Sequence, residues 1–431
     1  MGKPELAEFA RDRHVLFLEV MASELPPDYA PQEVNHLTLA YFAVAGLSLL
    51  RELDRVNKDQ IAKWILSFQV LPETDSELDN EQFYGFCGSR TTQFPSTDVK
   101  DPCHNVSHLA STYSALAVLK IVGYDLASID SKALLSSMKR LQQSDGSFMP
   151  THIGAETDLR FVYCAAAICS MFKDWTGIDK EKAKQYILDC QSYDGGFGLV
   201  PGSESHGGGT FCAVAALCLM GFIQDDLASN LREPAPIDVR LLLEWCLQRQ
   251  VADGGFQGRR NKLSDTCYAF WIGGVLKIIG AYHLIDHDAL RSFLLSCQSP
   301  VMTSSLIISN FSHTDQVTSL LIISALVCCA TVWRFHEVFA RSIPGHLPFL
   351  LWTCCSFLVG RGRARATLHR TGDPICCIIA WGWFICCIQS TDQVIVFCKV
   401  HSCNLVQHTP EKNSSNLYSS LIRVAFNCFF V

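Results

Sequence analysis

Arg249-Gln-Val-Ala-Asp-Gly-Gly-Phe256 is the last of three copies of one phrase in the chain. The earlier copies are Leu141-Gln-Gln-Ser-Asp-Gly-Ser-Phe148 and Cys190-Gln-Ser-Tyr-Asp-Gly-Gly-Phe197, and successive aspartates are 49 and 59 residues apart. A repeat of this length has room for two helices joined by a glycine-rich turn. Two-helix repeats bury their apolar faces only by stacking, either as an open solenoid or as a closed ring. The phrase predicts a helical repeat protein but does not choose between these two forms.

The turn in each copy contains residue types that suit a reversal of the chain. Glycine adopts the positive φ that tight turns need, and aspartate hydrogen-bonds its own turn. The flanking runs are typical of helices: Leu109, Tyr113 and Leu116 fall at helical spacing, and Gly123 stands where a helix C-cap belongs. Strand patterns are scarce before residue 298, so we expect an all-α body.

The composition changes abruptly near residue 298. The whole chain has 431 residues, of which 49% are hydrophobic and 18% charged, and its net charge of −7 argues against a nucleic-acid partner. Residues 1–298 hold 37 acidic and 26 basic residues, whereas 299–431 hold 5 acidic and 9 basic residues and 11 of the 21 cysteines. We expect a folded body over 1–298 and an aberrant, apolar, cysteine-rich tail over 299–431 that is not a native domain.

The compartment predicted from the sequence is the cytoplasm. Met1 to Arg13 is charged and has no apolar core ahead of a cleavage site, so no signal peptide is expected. In that compartment thiols stay reduced, and most cysteines pack as small apolar residues. The apolar runs Ser319–Trp333, His346–Gly360 and Ile375–Ile388 are each shorter than the ~20 residues that span a bilayer.

Asp265 and Cys267 form the first candidate functional pair. Carboxylate and thiolate are both zinc ligands, and a catalytic zinc takes three protein ligands and keeps a fourth position open. Taken alone, this pair is more often a turn carboxylate and a core cysteine. Its surroundings favour a site, because Arg259, Arg260 and Lys262 precede it and such cations suit a diphosphate. The alternative for these cations is a solvated loop.

The second candidate phrase is Glu204-Ser-His-Gly-Gly-Gly-Thr-Phe211, which opens a helical run. His206, ahead of glycines at a helix start, can meet an anion with its ring and with free backbone N–H groups. The alternative is an ordinary helix cap made by Ser205 or Thr210.

The third candidate phrase is Asp158-Leu-Arg-Phe-Val-Tyr-Cys164. Arg160 stands there in an otherwise apolar stretch, so a buried guanidinium would need a partner. That partner is either Asp158 or a substrate.

Together these phrases resemble the β subunits of the protein prenyltransferases. The resemblance covers about residues 9–298 and is closest to the type I protein geranylgeranyltransferases. The family fold is an α-α barrel, a ring of paired helices around an apolar funnel, which favours the ring over the solenoid. We expect the C-terminal part of that ring to be replaced here. The phrases that carry the resemblance are Arg11-Asp-Arg-His14, Asp158–Cys164, Glu204–Phe211, the three turns and Arg259–Trp271.

The resemblance implies a role for each candidate residue. Asp265 and Cys267 would bind zinc, which holds the thiolate of the substrate cysteine as it attacks C1 of the prenyl diphosphate. Thr38 and Arg160 are expected on the funnel wall. Four residues, His206, Arg259, Lys262 and Tyr268, are also expected to support the zinc-bound thiolate and to stabilise the negative charge of the departing diphosphate. The residues expected around the diphosphate and the prenyl chain are His206, Gly207, Gly208, Arg259, Arg260, Asn261, Lys262, Tyr268, Phe270 and Trp271.

The resemblance also implies partners and a substrate length. Thr38 falls where the farnesyl enzymes carry a bulky Trp, so a small residue there leaves room for a C20 chain. The expected partners are an α subunit in a heterodimer, geranylgeranyl diphosphate, and Cys-a-a-X proteins such as small GTPases, with terminal Leu favouring the C20 lipid. A need for magnesium is left open.

The chain departs from the family pattern after Gln298. The family continues with a further Gly-Gly-Phe turn and then a His that is the third zinc ligand; His313 lacks the flanking pattern and is not assigned as that ligand. We therefore expect little or no activity from this polypeptide. The alternatives are an inactive or truncated β chain that binds only the α subunit or the prenyl diphosphate, and a Rab-type (type II) β subunit. A terpene cyclase would need an Asp-x-Asp-Asp motif, which the sequence lacks.

Overall fold

A computed structural model of the chain describes residues 8–70 except 24 and 26, 84–89, 107–224, 227 and 235–298, together with the backbone of three strands between 375 and 399. Helices dominate the part before 298, as the sequence predicts. The helices described there are α1 (Arg11–Met21), α2 (His36–Leu49), α3 (Lys58–Leu66), α4 (Leu109–Val122), α5 (Ser131–Arg140), α6 (Leu159–Phe172), α7 (Lys180–Asp189), α8 (Gly207–Met220), α9 (Val239–Leu247), α10 (Tyr268–Ile278) and α11 (His287–Ser296), with 3₁₀ turns at Pro27–Asn35, Leu53–Arg55, Leu126–Ser128 and Tyr282–Leu284.

These helices form two concentric layers. The even-numbered helices α2, α4, α6, α8 and α10 are apolar and buried on most sides, and each contacts the next in chain order. The odd-numbered helices from α3 to α11 are amphipathic and bury one face. A helix that is apolar all round belongs to a core and one with a single apolar stripe belongs outside it. The even-numbered helices are therefore the inner layer.

Five outer helices begin in the same way. In each, an Asn or Asp side chain accepts a hydrogen bond from the backbone N–H three residues on, which satisfies one of the unpaired donors of the first turn. These caps are Asn57, Asp130, Asp179, Asp238 and Asp286.

A glutamine in each turn phrase joins one outer helix to the next. The Gln142 amide accepts from the Asp179 N–H at 2.7 Å and donates to the Asp179 carbonyl at 3.0 Å. Gln191 and Gln250 bind the backbone of Asp238 and Asp286 in the same way. The glutamine thus fixes the spacing of neighbouring hairpins.

Gln298 is a fourth glutamine of this kind, and it closes the outer layer. Its side-chain oxygen accepts from the Ala10 N–H at 2.8 Å, and its amide nitrogen donates to the Glu8 carbonyl at 3.0 Å. Ala10 is the cap residue of α1, so α1 takes the place that the next outer helix would take. The two ends of the described array meet, which gives a ring and not an open solenoid.

The repeated turns have the backbone that their glycines predict. Gly195 has φ of 92°, and a Cβ there would lie 2.2 Å from the Leu241 carbonyl carbon of the following outer helix. Gly254 has φ of 90°, and a Cβ there would lie 2.2 Å from the Ala289 carbonyl oxygen. Only glycine accepts both the positive φ and the close approach. The phenylalanine that ends each copy is fully buried, as expected: Phe148, Phe197 and Phe256.

Short antiparallel strands accompany the helices. β1 (Gln69–Val70) pairs with β2 (Gly85–Phe86), and β3 (Phe256–Gln257) pairs with β4 (Ser264–Asp265). Among the described residues no helix is both long and apolar enough to cross a bilayer. The segment after 298 contributes a backbone sheet of β5 (Ile375–Ala380), β6 (Trp383–Ile388) and β7 (Phe397–Lys399), in the order β5-β6-β7.

Candidate active site

The first turns of two neighbouring inner helices, α8 and α10, come together at one end of the ring. His206 caps α8: its Nδ1 accepts from the Gly208 N–H at 3.0 Å. Its Nε2 lies 3.0 Å from the hydroxyl oxygen of Tyr268, the first residue of α10, and the two rings meet edge to face at 5.5 Å. The structure therefore brings together two predicted diphosphate-binding residues that are 62 positions apart.

The hydrogen bonds of His206 determine its tautomer. Because Nδ1 accepts from a backbone N–H, the neutral ring carries its hydrogen on Nε2. Desolvation lowers the pKa of His206 to about 3, with Arg259 and Arg160 acting in the same direction, so the ring is neutral at pH 7. Nε2–H then donates to Tyr268. Burial raises the pKa of Tyr268 well above its usual value, so the phenol keeps a hydrogen with which it can donate to an anion.

Glycines allow the close approach of these elements. The Gly207 N–H donates to the Gly258 carbonyl at 2.7 Å, and a Cβ at Gly258 would lie 2.0 Å from the Cζ of Tyr268. Gly207 and Gly208 were expected to offer their N–H groups to an anion. Both N–H groups instead donate within the protein, to Gly258 and to His206. What these glycines provide is space for the Tyr268 ring and a cap for α8.

The predicted cations lie on the loop that leads from β3 to β4. The Arg259 guanidinium, 19% exposed, donates to the Glu204 carboxylate at 2.7 Å and is close enough to lower the pKa of His206. Arg260 and Asn261 are exposed, and Asn261 has φ of 61°. The Lys262 carbonyl accepts from the Gln257 side chain, which closes the loop. The solvated-loop alternative fits Arg260 and not Arg259.

Asp265 and Cys267 lie together beside this loop. One Asp265 carboxylate oxygen accepts from the Cys267 N–H at 2.8 Å, and Cys267 is 5% exposed. Their donor types suit zinc, as two of the three ligands that a catalytic zinc takes. Among the described residues no group of three or more His, Cys, Asp or Glu side chains is arranged to hold a metal. His313 lies outside the described residues. None of the nine cysteines whose side chains the structure describes forms a disulfide.

Arg160 has the intramolecular partner that the sequence left as one of two possibilities. Its guanidinium donates to both carboxylate oxygens of Asp158, at 2.6 Å from Nη2 and 3.0 Å from Nε. The side chains of Arg160 and Asp158 are 15% and 5% exposed. Asp158 also accepts from the Arg160 N–H and so caps α6. The pair is thus fixed on the inner layer.

A series of aromatic side chains links the inner helices from α2 to α10. Thr38 is buried one turn before Tyr41 on α2, at one end of the series, and Trp271 lies at the other. The sequence predicts no role for most members of this series, although an aromatic residue follows three inner-helix caps by five positions. The contacts are Tyr41–Tyr113 (hydroxyls 3.0 Å apart), Tyr113–Tyr163 (3.3 Å), Tyr163–Phe211 (rings 5.5 Å), Phe211–Phe270 (4.6 Å) and Phe211–Trp271 (5.2 Å).

Comparison with known proteins agrees with this arrangement. Residues 9–377 match the model of the prenyltransferase alpha-alpha toroid domain. The chain is 64% identical over 293 residues to the β subunit of geranylgeranyl transferase type 1 from Arabidopsis thaliana, covering 68% of this chain and 78% of that relative. It is 31% identical over 301 residues to the type-2 β subunit from Candida albicans, covering 67% of this chain and 79% of that relative.

A solved structure gives the same result. Candida albicans protein geranylgeranyltransferase-I, complexed with GGPP, superimposes with a TM-score of 0.60 at 27% identity, covering 77% of this chain and 93% of that one. The match to the toroid domain extends beyond residue 298, where the sequence analysis placed a boundary. With a two-layer ring of helices, a domain match over most of its length and a relative at 64% identity, this chain belongs to the prenyltransferase alpha-alpha toroid family.

Proposed function

We propose that this chain is the β subunit of a type I protein geranylgeranyltransferase, which transfers a C20 group from geranylgeranyl diphosphate to the cysteine of a Cys-a-a-X protein. The observation that carries the proposal is the His206–Tyr268 contact between α8 and α10, with Arg259 close to it and with Asp265 and Cys267 directly after the loop that carries Arg259. The identity to a type-1 β subunit, about twice that to a type-2 one, supports type I over the Rab-type alternative.

The proposed roles at the diphosphate follow from charge and hydrogen bonding. Arg259 offers a planar pair of donors that matches phosphate oxygens, and Lys262 offers a point charge. The Tyr268 O–H, whose oxygen accepts from the His206 Nε2–H, donates to the oxygen that gains charge as the carbon–oxygen bond breaks. Neutral His206 keeps this donor correctly directed without needing a proton from solution. Arg260 and Asn261 lie on the same loop and keep their proposed place around the diphosphate.

The proposed metal is zinc, with Asp265 and Cys267 as two ligands. When bound, zinc would lower the pKa of the substrate thiol so that a thiolate exists at neutral pH. Asp265 is oriented for this role by the hydrogen bond that it accepts from the Cys267 N–H. A third protein ligand would come from outside the described residues.

The proposed prenyl site is the aromatic series inside the ring. Phe270 and Trp271 form its end nearest the metal ligands, and Thr38 lies at the far end, where a small side chain leaves length for a fourth isoprene unit. We also propose an α-subunit partner, small GTPases among the protein substrates, and a cytoplasmic location. The division of the chain at residue 298 stays a prediction.

A second candidate function is a β chain that binds prenyl diphosphate and the α subunit without transferring the lipid. The observation that favours it is the metal site, where the described residues supply two suitable ligands and not three. This alternative keeps the His206–Tyr268 site and loses only the chemistry at the thiol.

Purification of the chain with an α subunit tests both candidates. The measurements are the affinity for fluorescent geranylgeranyl and farnesyl diphosphates, the zinc content, and transfer to a peptide ending in Cys-a-a-Leu. Tight binding of the C20 lipid with one zinc and transfer establishes the transferase. Tight binding without zinc or transfer establishes the binder. Absence of C20 diphosphate binding overturns both.

A further inference from the structure

Two segments of the ring present the candidate functional residues in the same way. We call residues 198–206 the diphosphate arm and residues 257–265 the metal arm. In each arm a serine hydroxyl, directly before the functional residue, donates to the aspartate of the preceding turn: Ser205 to Asp194 and Ser264 to Asp253. Both serines stand 11 positions after their aspartate. The turn aspartates therefore bind more than their own turn.

The second glycine of each turn makes room for the arm serine. A Cβ at Gly196 would lie 2.7 Å from the Cβ of Ser205, and a Cβ at Gly255 would lie 2.7 Å from the Cβ of Ser264. The first copy of the phrase differs at this position. It has Ser147, which donates its own N–H at 2.9 Å and hydroxyl at 2.7 Å to Asp145. Asp-Gly-Gly-Phe thus marks the turns that hold an arm, and Asp-Gly-Ser-Phe marks a turn that bonds to itself.

The backbone holds the end of the diphosphate arm from the other side. The His206 N–H donates to the Phe197 carbonyl at 2.9 Å, and the Thr210 hydroxyl accepts from the Phe197 N–H at 3.0 Å. The Ser205–Asp194 hydrogen bond is the side-chain contact that completes this support. Together these bonds set the direction of the imidazole that donates to Tyr268.

A buried cation lies close to the same turn. Arg249 is 4% exposed, its guanidinium lies 5.2 Å above the ring of Trp245, and its Nη1 has no hydrogen-bond partner among the described residues. Trp245 in turn would lie 2.7 Å from a Cβ at Gly196. The negative charge of Asp194 stabilises the positive charge of the Arg249 guanidinium. The Asp194 carboxylate thus accepts from the Gly196 N–H of its own turn and from the Ser205 hydroxyl, and it lies in the field of a buried guanidinium.

We infer that Asp194 is a positioning residue for diphosphate binding, which acts on His206 through the hydroxyl of Ser205. The inference rests on the proposed function and goes beyond it, since Asp194 belongs to a turn phrase and not to the site. A hydrogen bond to a carboxylate is stronger than one between neutral groups. Loss of this bond frees the arm and misdirects the Nε2–H of His206, and small displacements of a positioned group are costly.

The test uses the complex of the full chain with an α subunit and compares Ser205→Ala, Asp194→Asn and Asp145→Asn. Asp145→Asn is the matched control, because it removes the same carboxylate from a turn whose aspartate accepts its hydrogen bonds from Ser147 of that turn. The readouts are the dissociation constants of geranylgeranyl diphosphate and of geranylgeraniol, which lacks the diphosphate, and the melting temperature. Ser205→Ala keeps the carboxylate that faces Arg249, so it remains informative if Asp194→Asn fails to fold.

The expected result is a selective loss of diphosphate affinity. Ser205→Ala and Asp194→Asn each weaken diphosphate binding by about tenfold, with geranylgeraniol affinity unchanged and Asp145→Asn like the wild type. The double variant is no weaker than Ser205→Ala, because that change already removes the hydrogen bond that Asp194→Asn weakens. Unchanged diphosphate affinity in Ser205→Ala, or an equal loss for the alcohol, overturns the inference and leaves the proposed function standing. A wild-type complex that binds no diphosphate overturns the proposed function and the inference with it.

Discussion

The diphosphate arm and the metal arm are two versions of one structural unit. Each begins at an Asp-Gly-Gly-Phe turn, returns to that turn through a serine, and ends at the start of an inner helix. They differ in the residue after the serine, which is His206 in one and Asp265 in the other. The comparison indicates that the turn and its serine position each arm, whereas the chemistry depends on the residues that the arm carries, which in the metal arm include Arg259 and Lys262 as well as Asp265. It also indicates that the two arms can be damaged separately.

Gly258→Ala should have the largest effect, because Gly258 lies where the two arms meet. Its carbonyl accepts from the Gly207 N–H, and an added Cβ would lie 2.0 Å from the Tyr268 ring. Displacement of Tyr268 should weaken geranylgeranyl diphosphate binding by about a hundredfold, measured as a dissociation constant. In a Tyr268→Ala background the same change should add little, since the ring that it strikes is gone. Full additivity of the two changes would contradict this account.

Comparison of His206→Ala with His108→Ala distinguishes the loss of a diphosphate-binding contact from the loss of a helix cap. Both histidines cap an inner helix through Nδ1, His206 to Gly208 and His108 to Ala110. Loss of either cap should lower the free energy of unfolding by about 1 kcal/mol, measured by denaturant titration.

Of these two histidines, His206 is the one whose hydrogen bond to Tyr268 the structure describes. His206→Ala should therefore also weaken diphosphate binding by about thirtyfold, whereas His108→Ala should leave it at the wild-type value. Equal losses of diphosphate affinity in the two variants would show that the contact with Tyr268 has no special role.

Ser264→Ala should lower the affinity for zinc, which Ser205→Ala should leave unchanged. Ser264 holds the strand that carries Asp265, and loss of an outer contact to a metal ligand lowers metal affinity by about tenfold. Competition with a chromogenic chelator measures this change, and Ser205→Ala is the matched control because it removes the same hydroxyl from the other arm. Zinc affinity that falls in both variants, or in neither, would mean that the arms are not independent.

The smallest expected effect is a dependence of stability on pH that both capping histidines share. Burial lowers the pKa of His206 to about 3 and that of His108 to about 4, against 6.5 for the free side chain. The unfolded chain then binds more protons than the folded chain, so stability is complete above pH 6.5 and falls as the pH drops toward 3. When the pH is lowered from 7 to 6, protonation of each histidine in the unfolded chain should reduce the free energy of unfolding by about 0.5–1 kcal/mol.

Denaturant titrations of the wild type, His206→Gln and His108→Gln at several pH values check this dependence. Each variant should show a shallower loss than the wild type below pH 6.5. A wild-type slope that is unchanged in both variants would mean that carboxylates alone cause it.

Several features of the site could be predicted from the sequence because they are local. His206 at a helix start, the cations before Asp265, and the reversal of the chain at each Asp-Gly-Gly-Phe depend on neighbours within a few positions. The predicted alternative for Arg160, a bond to Asp158, is also local, and the structure confirms it. The expected anion contacts of the Gly207 and Gly208 N–H groups were not confirmed, because the acceptor of Gly207 lies 51 positions further on at Gly258.

By itself, the sequence determined the two-helix repeat, the caps of the outer helices and the residue types of the site, since spacing and local hydrogen bonding decide these. The tertiary structure alone decided which repeats touch. Tyr41, Tyr113 and Tyr163 form one hydroxyl series because consecutive inner helices pack side by side, and Gln298 reaches Glu8 because the last outer helix lies beside the first. These contacts join residues 50 to 290 positions apart. A pattern of apolar residues specifies a buried face, but it does not specify the partner that covers it.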